Sequence, residues 1–208
     1  MTTYAQISIS TDGFMTGPEP SVEEPLGTGG MQLHDWAFRL RAWREPHGLE
    51  GGEEGPESVW VDEIAERTGA YVMGRRMFSS GSGPWADDPM ANGWWGEEPP
   101  FHRPVFVVTH HERQPLVLGE TTFHFVTDGV AAALGRAREA ADGRDVQIAG
   151  GGDVIRQALE LGELDEVTLH TAPVALGGGT AFPTFARTEE IGRIETPHAL
   201  HVRYRLRS

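Results

Sequence analysis

The chain has 208 residues and a mass of 22.7 kDa, enough for one well-buried core and short for two complete domains, so a single domain over residues 1–208 is expected. Its 17 basic and 31 acidic residues give a net charge of -14, which argues against a general role on nucleic acid or an anionic membrane. With no cysteine, disulfides, thiolate catalysis and cysteine-ligated metals are excluded, and the lack of a basic then apolar N-terminal segment fits a cytoplasmic protein.

In chain order, Tyr4–Ser10 reads as a strand ended by the turn former Asp12-Gly13. The Pro-, Gly- and Glu-rich stretch 17–30 shows no period and predicts a mobile loop, with a lid as its functional reading. Leu33, Trp36, Ala37, Leu40 and Trp43 recur at spacings of three and four, which predicts one helix with a single apolar face. A helix over 57–68 and a buried strand over 70–73 follow, and 81–104, with Trp85, Trp94 and Trp95 among glycines and prolines, predicts an insertion loop. Strands at 104–109, 122–126, 146–149 and 166–171 alternate with helices at 130–141 and 154–161. That alternation implies α/β architecture with a largely parallel sheet, and the close strands 189–196 and 200–206 predict a terminal antiparallel hairpin.

The chemistry concentrates where strands end. Val146-Gln147-Ile148-Ala149 runs into Gly150, Gly151 and Gly152 and then directly into a helix opened by Asp153, Val154 and Ile155. Glycines at such a turn let backbone approach a ligand, and the helix start offers free N–H groups and a positive dipole end to an anion. The spacing is neither G-x-G-x-x-G nor a P-loop. Val72-Met73-Gly74 is a second such junction, with Arg75, Arg76 and Met77 at the next element. A third strand ends in Thr109, His110 and His111, followed by Arg113. Ligands of open α/β sheets lie outside the carboxyl ends of strands, so the three clusters together predict a phosphate pocket and a nucleotide cofactor. Adjacent histidines on a strand point apart, which argues against a shared metal. No serine-hydrolase elbow or zinc-protease helix is present.

These motifs resemble the dihydrofolate reductase fold, most closely the branch that contains the reductase domain of bacterial riboflavin-biosynthesis deaminase-reductases. The likeness rests on Ser10-Thr11-Asp12-Gly13-Phe14, Val72-Met73-Gly74-Arg75-Arg76, Val107-Val108-Thr109, Gly150-Gly151-Gly152 with Val154-Ile155, and Leu169-His170-Thr171-Ala172-Pro173-Val174 with Leu176-Gly177-Gly178-Gly179 and Phe182. It implies a mixed, mostly parallel central sheet with flanking helices and a C-terminal antiparallel hairpin, and NADPH as cofactor. Gly74 to Met77 and Thr109 to His111 would hold the adenosine phosphates, with Arg75, Arg76 and His110 as cations for the extra ribose phosphate. Gly150 to Ile155 would hold the pyrophosphate. Backbone near Ile7 and Ser8 would meet the nicotinamide amide, and the loop carrying Met15, Thr16 and Gly17 would close over the ring.

By the same resemblance, Asp35 is the nearest first-helix carboxylate for substrate protonation, its alternative role being a helix cap or dipole partner. His170, late in a central strand, is placed as a substrate-side donor, its alternative being a satisfied core histidine. The implied function is hydride transfer to a C=N or C=O of a pterin, pyrimidine or related small heterocycle, in a homodimer. The missing zinc-ligand cysteines leave no deaminase chemistry here. The alternative function is a non-catalytic nucleotide- or flavin-binding protein on the same fold. The tryptophan-rich loop predicts substrate stacking, a dimer contact or local closure.

Overall fold

The computed structural model describes residues 1–79, 81–185 and 188–206. In chain order they form β1 (Thr3–Ile9), α1 (Asp35–Phe38), α2 (Arg41–Arg44), α3 (Ser58–Arg67), β2 (Thr68–Gly74), α4 (Arg75–Ser79), β3 (Pro104–Val108), β4 (Leu116–Leu118) and β5 (Thr121–Val126). There follow α5 (Gly129–Ala140), β6 (Asp145–Gly150), α6 (Gly152–Glu160), β7 (Glu166–Thr171), β8 (Thr188–Glu195) and β9 (Leu200–Leu206). The sheet is mixed and mostly parallel, flanked by helices, and ends in an antiparallel hairpin. None of the described helices is long and apolar enough to cross a membrane.

The described residues divide into two compact units, each discontinuous in sequence. One comprises Met1–Ala5 and Arg67–Asp165, the other Gln6–Glu66 and Glu166–Ser208. The first unit takes the strand order β4-β5-β3-β2-β6-β1, parallel except for β4. Thr68 to Met73 are all buried in β2, which is why this strand reads as a continuous apolar run rather than an alternation. Helix α5 lays Val130, Ala133, Leu134 and Ala137 into the core at helical spacing. The short β4, flanked by a turn at Gly119-Glu120, has too few residues to show a period, and the sequence reading passes over it.

The second unit holds the antiparallel strands β7, β9 and β8, with His170 opposite His201 in the β7–β9 register. The single helix expected over Leu33–Trp43 is broken. Leu40 adopts an extended conformation between α1 and α2, and it pairs with the 53 region through Arg41 N–H to Glu53 O (3.0 Å) and Glu53 N–H to Arg39 O (2.8 Å). The apolar spacing nevertheless identifies the buried face, since Leu33, Trp36, Ala37 and Leu40 are all in the core. Tertiary packing rewards that face whether or not the backbone stays helical through it.

The stretch 17–30 is also more structured than its composition suggests. Gly17 N–H donates to Leu26 O (2.7 Å), Gly27 N–H to Glu24 O (2.8 Å) and Thr28 N–H to Pro18 O (2.9 Å). A Cβ on Gly17 would stand 2.0 Å from the Thr28 carbonyl oxygen, so glycine is what permits the closure. The preceding turn is clasped to the second glycine run. Met15 N–H donates to Thr180 O (2.8 Å) and Phe182 N–H to Gly13 O (2.9 Å), while Asp12 accepts from the Leu176 and Gly177 N–H groups at 3.1 and 2.7 Å. Hydrogen bonding from Ser10 first, then from Gly177 and Leu176, brings the Asp12 carboxyl down to about 2. The stretch therefore has a defined, hydrogen-bonded form where composition alone predicts only a mobile loop.

Candidate nucleotide site

The strongest of the three sequence clusters is built as expected. β6 ends at Gly150, and Gly151, with φ 88° and ψ 110°, is the N-cap of α6. That backbone conformation suits glycine alone. Gly151 O accepts from Val154 and Ile155 N–H (3.0 and 3.1 Å), and no side chain caps the helix. Val154 and Ile155 face the core and fix the helix start, while Gly152 is half-buried and Asp153 is exposed. Asp153 is paired with Arg156 (3.3 Å), which also holds Glu160 (2.8 Å). Gly74 of β2 lies against this turn, since a Cβ on Gly151 would stand 3.4 Å from Gly74 Cα. Two bare backbones thus meet beside an uncapped nine-residue helix, an arrangement suited to a phosphate.

At the end of β3, Thr109 is buried. Its N–H donates to Val126 O (3.0 Å), and its hydroxyl accepts from His111 N–H (3.2 Å). His110 is exposed and His111 half-buried. At the end of β2, Arg76 is exposed, Met77 is half-buried, and a Cβ on Gly150 would meet Met77 Sδ at 2.7 Å. Among the described residues no ion pair holds Arg76 or His110, so both are available to an anion.

Arg75 corrects the sequence reading. It is only 7% exposed, donates through Nη2 to Asp88 (2.5 Å) and stacks over Trp85 with its Cζ 3.4 Å from the ring centroid. The expected phosphate ligand is instead an internal ion pair. Burial pushes the Asp88 carboxyl up, but hydrogen bonds from Ser79, Met90 N–H and Arg75 outweigh it and leave the group below its ordinary range.

The tryptophan-rich insertion is closed locally. Trp85 packs edge-on against Phe78 and Phe125 and donates from Nε1 to His111 O (2.8 Å). Trp95 packs on Phe101, which in turn meets Tyr71 and Phe123. Of its three readings, local closure is what the packing shows for Trp85 and Trp95.

In the second unit, Ile7, Ser8, Met15 and Gly17 are all buried. The Ser8 hydroxyl accepts from Trp36 Nε1 (3.0 Å), leaving its backbone as the part that resemblance assigns to a ligand. Asp35 is exposed at the start of α1, where a dipole partner stands, and its charge offsets part of the burial that pulls the His34 imidazole down to about 4.

His170 is the second correction. It is 2% exposed, with Nδ1 2.8 Å from His201 Nδ1 and Nε2 3.2 Å from Gln6 Oε1, and Trp36 lies on its ring at 4.4 Å. Both nitrogens are engaged by protein atoms, so it is a core histidine and not an open substrate-side donor. Burial, reinforced by His201, holds its proton affinity well below the ordinary imidazole range, and burial brings His201 down to about 4 against the pull of Glu57. His201 and Asp88 carried no local signal. His201 meets its partner only through strand register, and Asp88 sits in an aperiodic stretch.

The family model of the RibD C-terminal domain matches residues 2–196. The chain belongs to that family. Membership supports a reductase role. A solved protein from Shewanella sp. PV-4, provisionally described as a riboflavin biosynthesis protein, superposes with a TM-score of 0.63 at 18% identity, covering 100% of both chains. A pyrimidine reductase-like protein from Corynebacterium diphtheriae superposes with a TM-score of 0.55 at 14% identity, over 100% of this chain and 92% of the other. At these identities the two structures establish the shared dihydrofolate reductase-like fold. None of the curated proteins matches the sequence.

Proposed function

We propose that this RibD C-terminal-type chain is an NADPH-dependent reductase that delivers hydride to a C=N or C=O carbon of a pyrimidine, pterin or related small heterocycle. The observation that carries the reading is the uncapped, glycine-started α6 backed onto Gly74, in a chain of this reductase family. The donor set fits a dinucleotide's phosphates. Gly151 to Asp153 offer backbone N–H groups to the pyrophosphate, while exposed Arg76 and His110 offer cations to the adenosine side. Reduced nicotinamide supplies the hydride when bound. The protein's own contribution is to bind, orient and dehydrate: the α6 turn fixes the phosphates, and the backbone at Ile7 and Ser8 and the closed Met15–Gly17 turn take the ring-binding roles that the family resemblance implies.

The test is a paired titration with NADPH and NADH, followed by quenching of the six tryptophans. Wild type should prefer NADPH at least about tenfold, or about 1.4 kcal/mol. Arg76→Ala should weaken NADPH about fivefold or more and NADH less than about twofold, the loss of one charge-assisted contact. Equal weakening of both removes the ribose-phosphate assignment, and failure of wild type to bind either nucleotide ends the reading. A second reading, a non-catalytic nucleotide- or flavin-binding protein, is favoured by one observation: His170 is enclosed in the core with both ring nitrogens engaged, and Asp35 is exposed to solvent. A yellow purified protein, or cofactor binding without oxidation across a heterocycle panel, would support it.

A further inference from the structure

Arg75 shows the largest mismatch between motif and structure. It follows Gly74 at the carboxyl end of β2, beside exposed Arg76, yet it is turned into the 81–104 insertion. Its Nη2 meets Asp88 and its face meets Trp85, while Nε and Nη1 are buried with no acceptor among the described residues. The Asp88 side chain is only 3% exposed and accepts from Ser79 Oγ (2.8 Å) and Met90 N–H (2.8 Å) as well as Arg75. The carboxylate fits because residue 81 is glycine, where a Cβ would stand 2.3 Å from Asp88 Oδ2. Arg113 lies over the same Trp85 ring at 4.9 Å, held by the Ala91 carbonyl and by Asn92 Oδ1 (2.6 Å). The insertion therefore brings its own carboxylate to a cation that stands at the carboxyl end of β2.

We propose that Asp88 is a specificity-determining residue: by holding Arg75 inside the insertion, it withholds that cation from the extra ribose phosphate and lowers the chain's discrimination between phosphorylated and unphosphorylated dinucleotide. This rests on the nucleotide-binding reading above. With Asp88 ionised, the pair sums to zero charge, and the exposed cations left at the strand ends are Arg76 and, when protonated, His110. Without that carboxylate, Arg75 has no counter-ion and its buried N–H groups have no acceptor, so the guanidinium is driven to turn outward toward an anion. Asp88 acts through Arg75, and is a positioning residue for it.

Asp88→Asn keeps the shape and an acceptor for Met90 N–H while removing the charge. In the paired titration it should raise the preference for NADPH over NADH about tenfold, equivalent to about 1.4 kcal/mol, with NADH affinity changed less than about twofold. The gain should vanish in the Arg75→Gln/Asp88→Asn double variant. Arg75→Gln alone retains a donor for Asp88 and should leave the preference within about twofold of wild type, a test that stands even if Asp88→Asn fails to fold. Three results overturn the proposal: an unchanged preference in Asp88→Asn, equal weakening of both nucleotides, or a large loss of preference in Arg75→Gln. Absence of any nucleotide binding by wild type and variants overturns the reading beneath it as well. An unchanged preference with both nucleotides bound overturns the Asp88 assignment alone.

Discussion

The β2–α4 and β6–α6 junctions look alike in sequence, each an apolar strand running through glycine into a helix, and they differ in what the fold has laid over them. At β6–α6 the helix is nine residues long, starts on a glycine in a positive-φ conformation and carries no side-chain cap. At β2–α4 the helix is five residues long, and its first side chain is buried under Trp85 and paired with Asp88. Whether such a junction is open is decided by residues distant in sequence, which a local motif does not contain. The exposed cation of the covered junction, Arg76, is held by no ion pair among the described residues, so the role that the sequence reading gave it stays open.

The sharpest way to break this comparison is at Gly151. A β-branched side chain there meets a backbone at φ 88° and ψ 110° that only glycine adopts without strain. Gly151→Val should lower stability by about 3 kcal/mol and weaken NADPH and NADH alike by more than about tenfold. Chemical denaturation and the same nucleotide titration measure the two effects. A variant that loses stability yet binds both nucleotides normally would show that the turn is a packing device, and the open junction would then be no more functional than the covered one.

The parts legible in sequence were those set by backbone requirements or by burial on two faces. The buried run in β2, the glycines before α6 and the terminal hairpin each leave a local mark, because their cause is local. The path of 33–43 was half legible: the apolar spacing found the buried face, while the break at Leu40 comes from its pairing with the 53 region. The closed form of 17–30 was hidden because its bonds are mainly backbone to backbone, between residues whose side chains say only that a turn is near. The pairings of Arg75 with Asp88 and of His170 with His201 were not legible at all, since separations of 13 and 31 residues carry no period.

His170 gives the next largest effect and the clearest contrast with the open junction. Its removal strands His201 Nδ1 and Gln6 Oε1 in the core of the second unit. His170→Phe should therefore cost about 2 kcal/mol of stability, the usual scale for a buried polar group left without its partner. NADPH binding measured below the unfolding transition should stay within about twofold of wild type. A variant of unchanged stability with lost turnover would return His170 to the substrate-side role that its position in β7 first suggested.

The most gradual effect is a pH dependence that belongs to the buried histidines and not to the β6–α6 junction. His201 and His34 have affinities lowered from 6.5 to about 4, and His170 lies well below its ordinary value, burial being the leading cause in each. The folded state therefore keeps these rings neutral while the unfolded chain takes up protons below about 6.5. Full stability is present above that pH and is lost progressively as pH falls toward 4. Between pH 7 and pH 6 the loss should be about 0.7 kcal/mol for each ring, or about 2 kcal/mol for the three, growing at lower pH. Thermal melts across that range measure it, and His170→Phe should flatten the profile by removing one of the three titrating rings. Gly151→Val should leave the slope unchanged, because Gly151 belongs to the first unit and His34, His170 and His201 all belong to the second. If the slope instead followed the Gly151 substitution, the acid sensitivity would lie at the β6–α6 junction and the contrast between the two regions would fail.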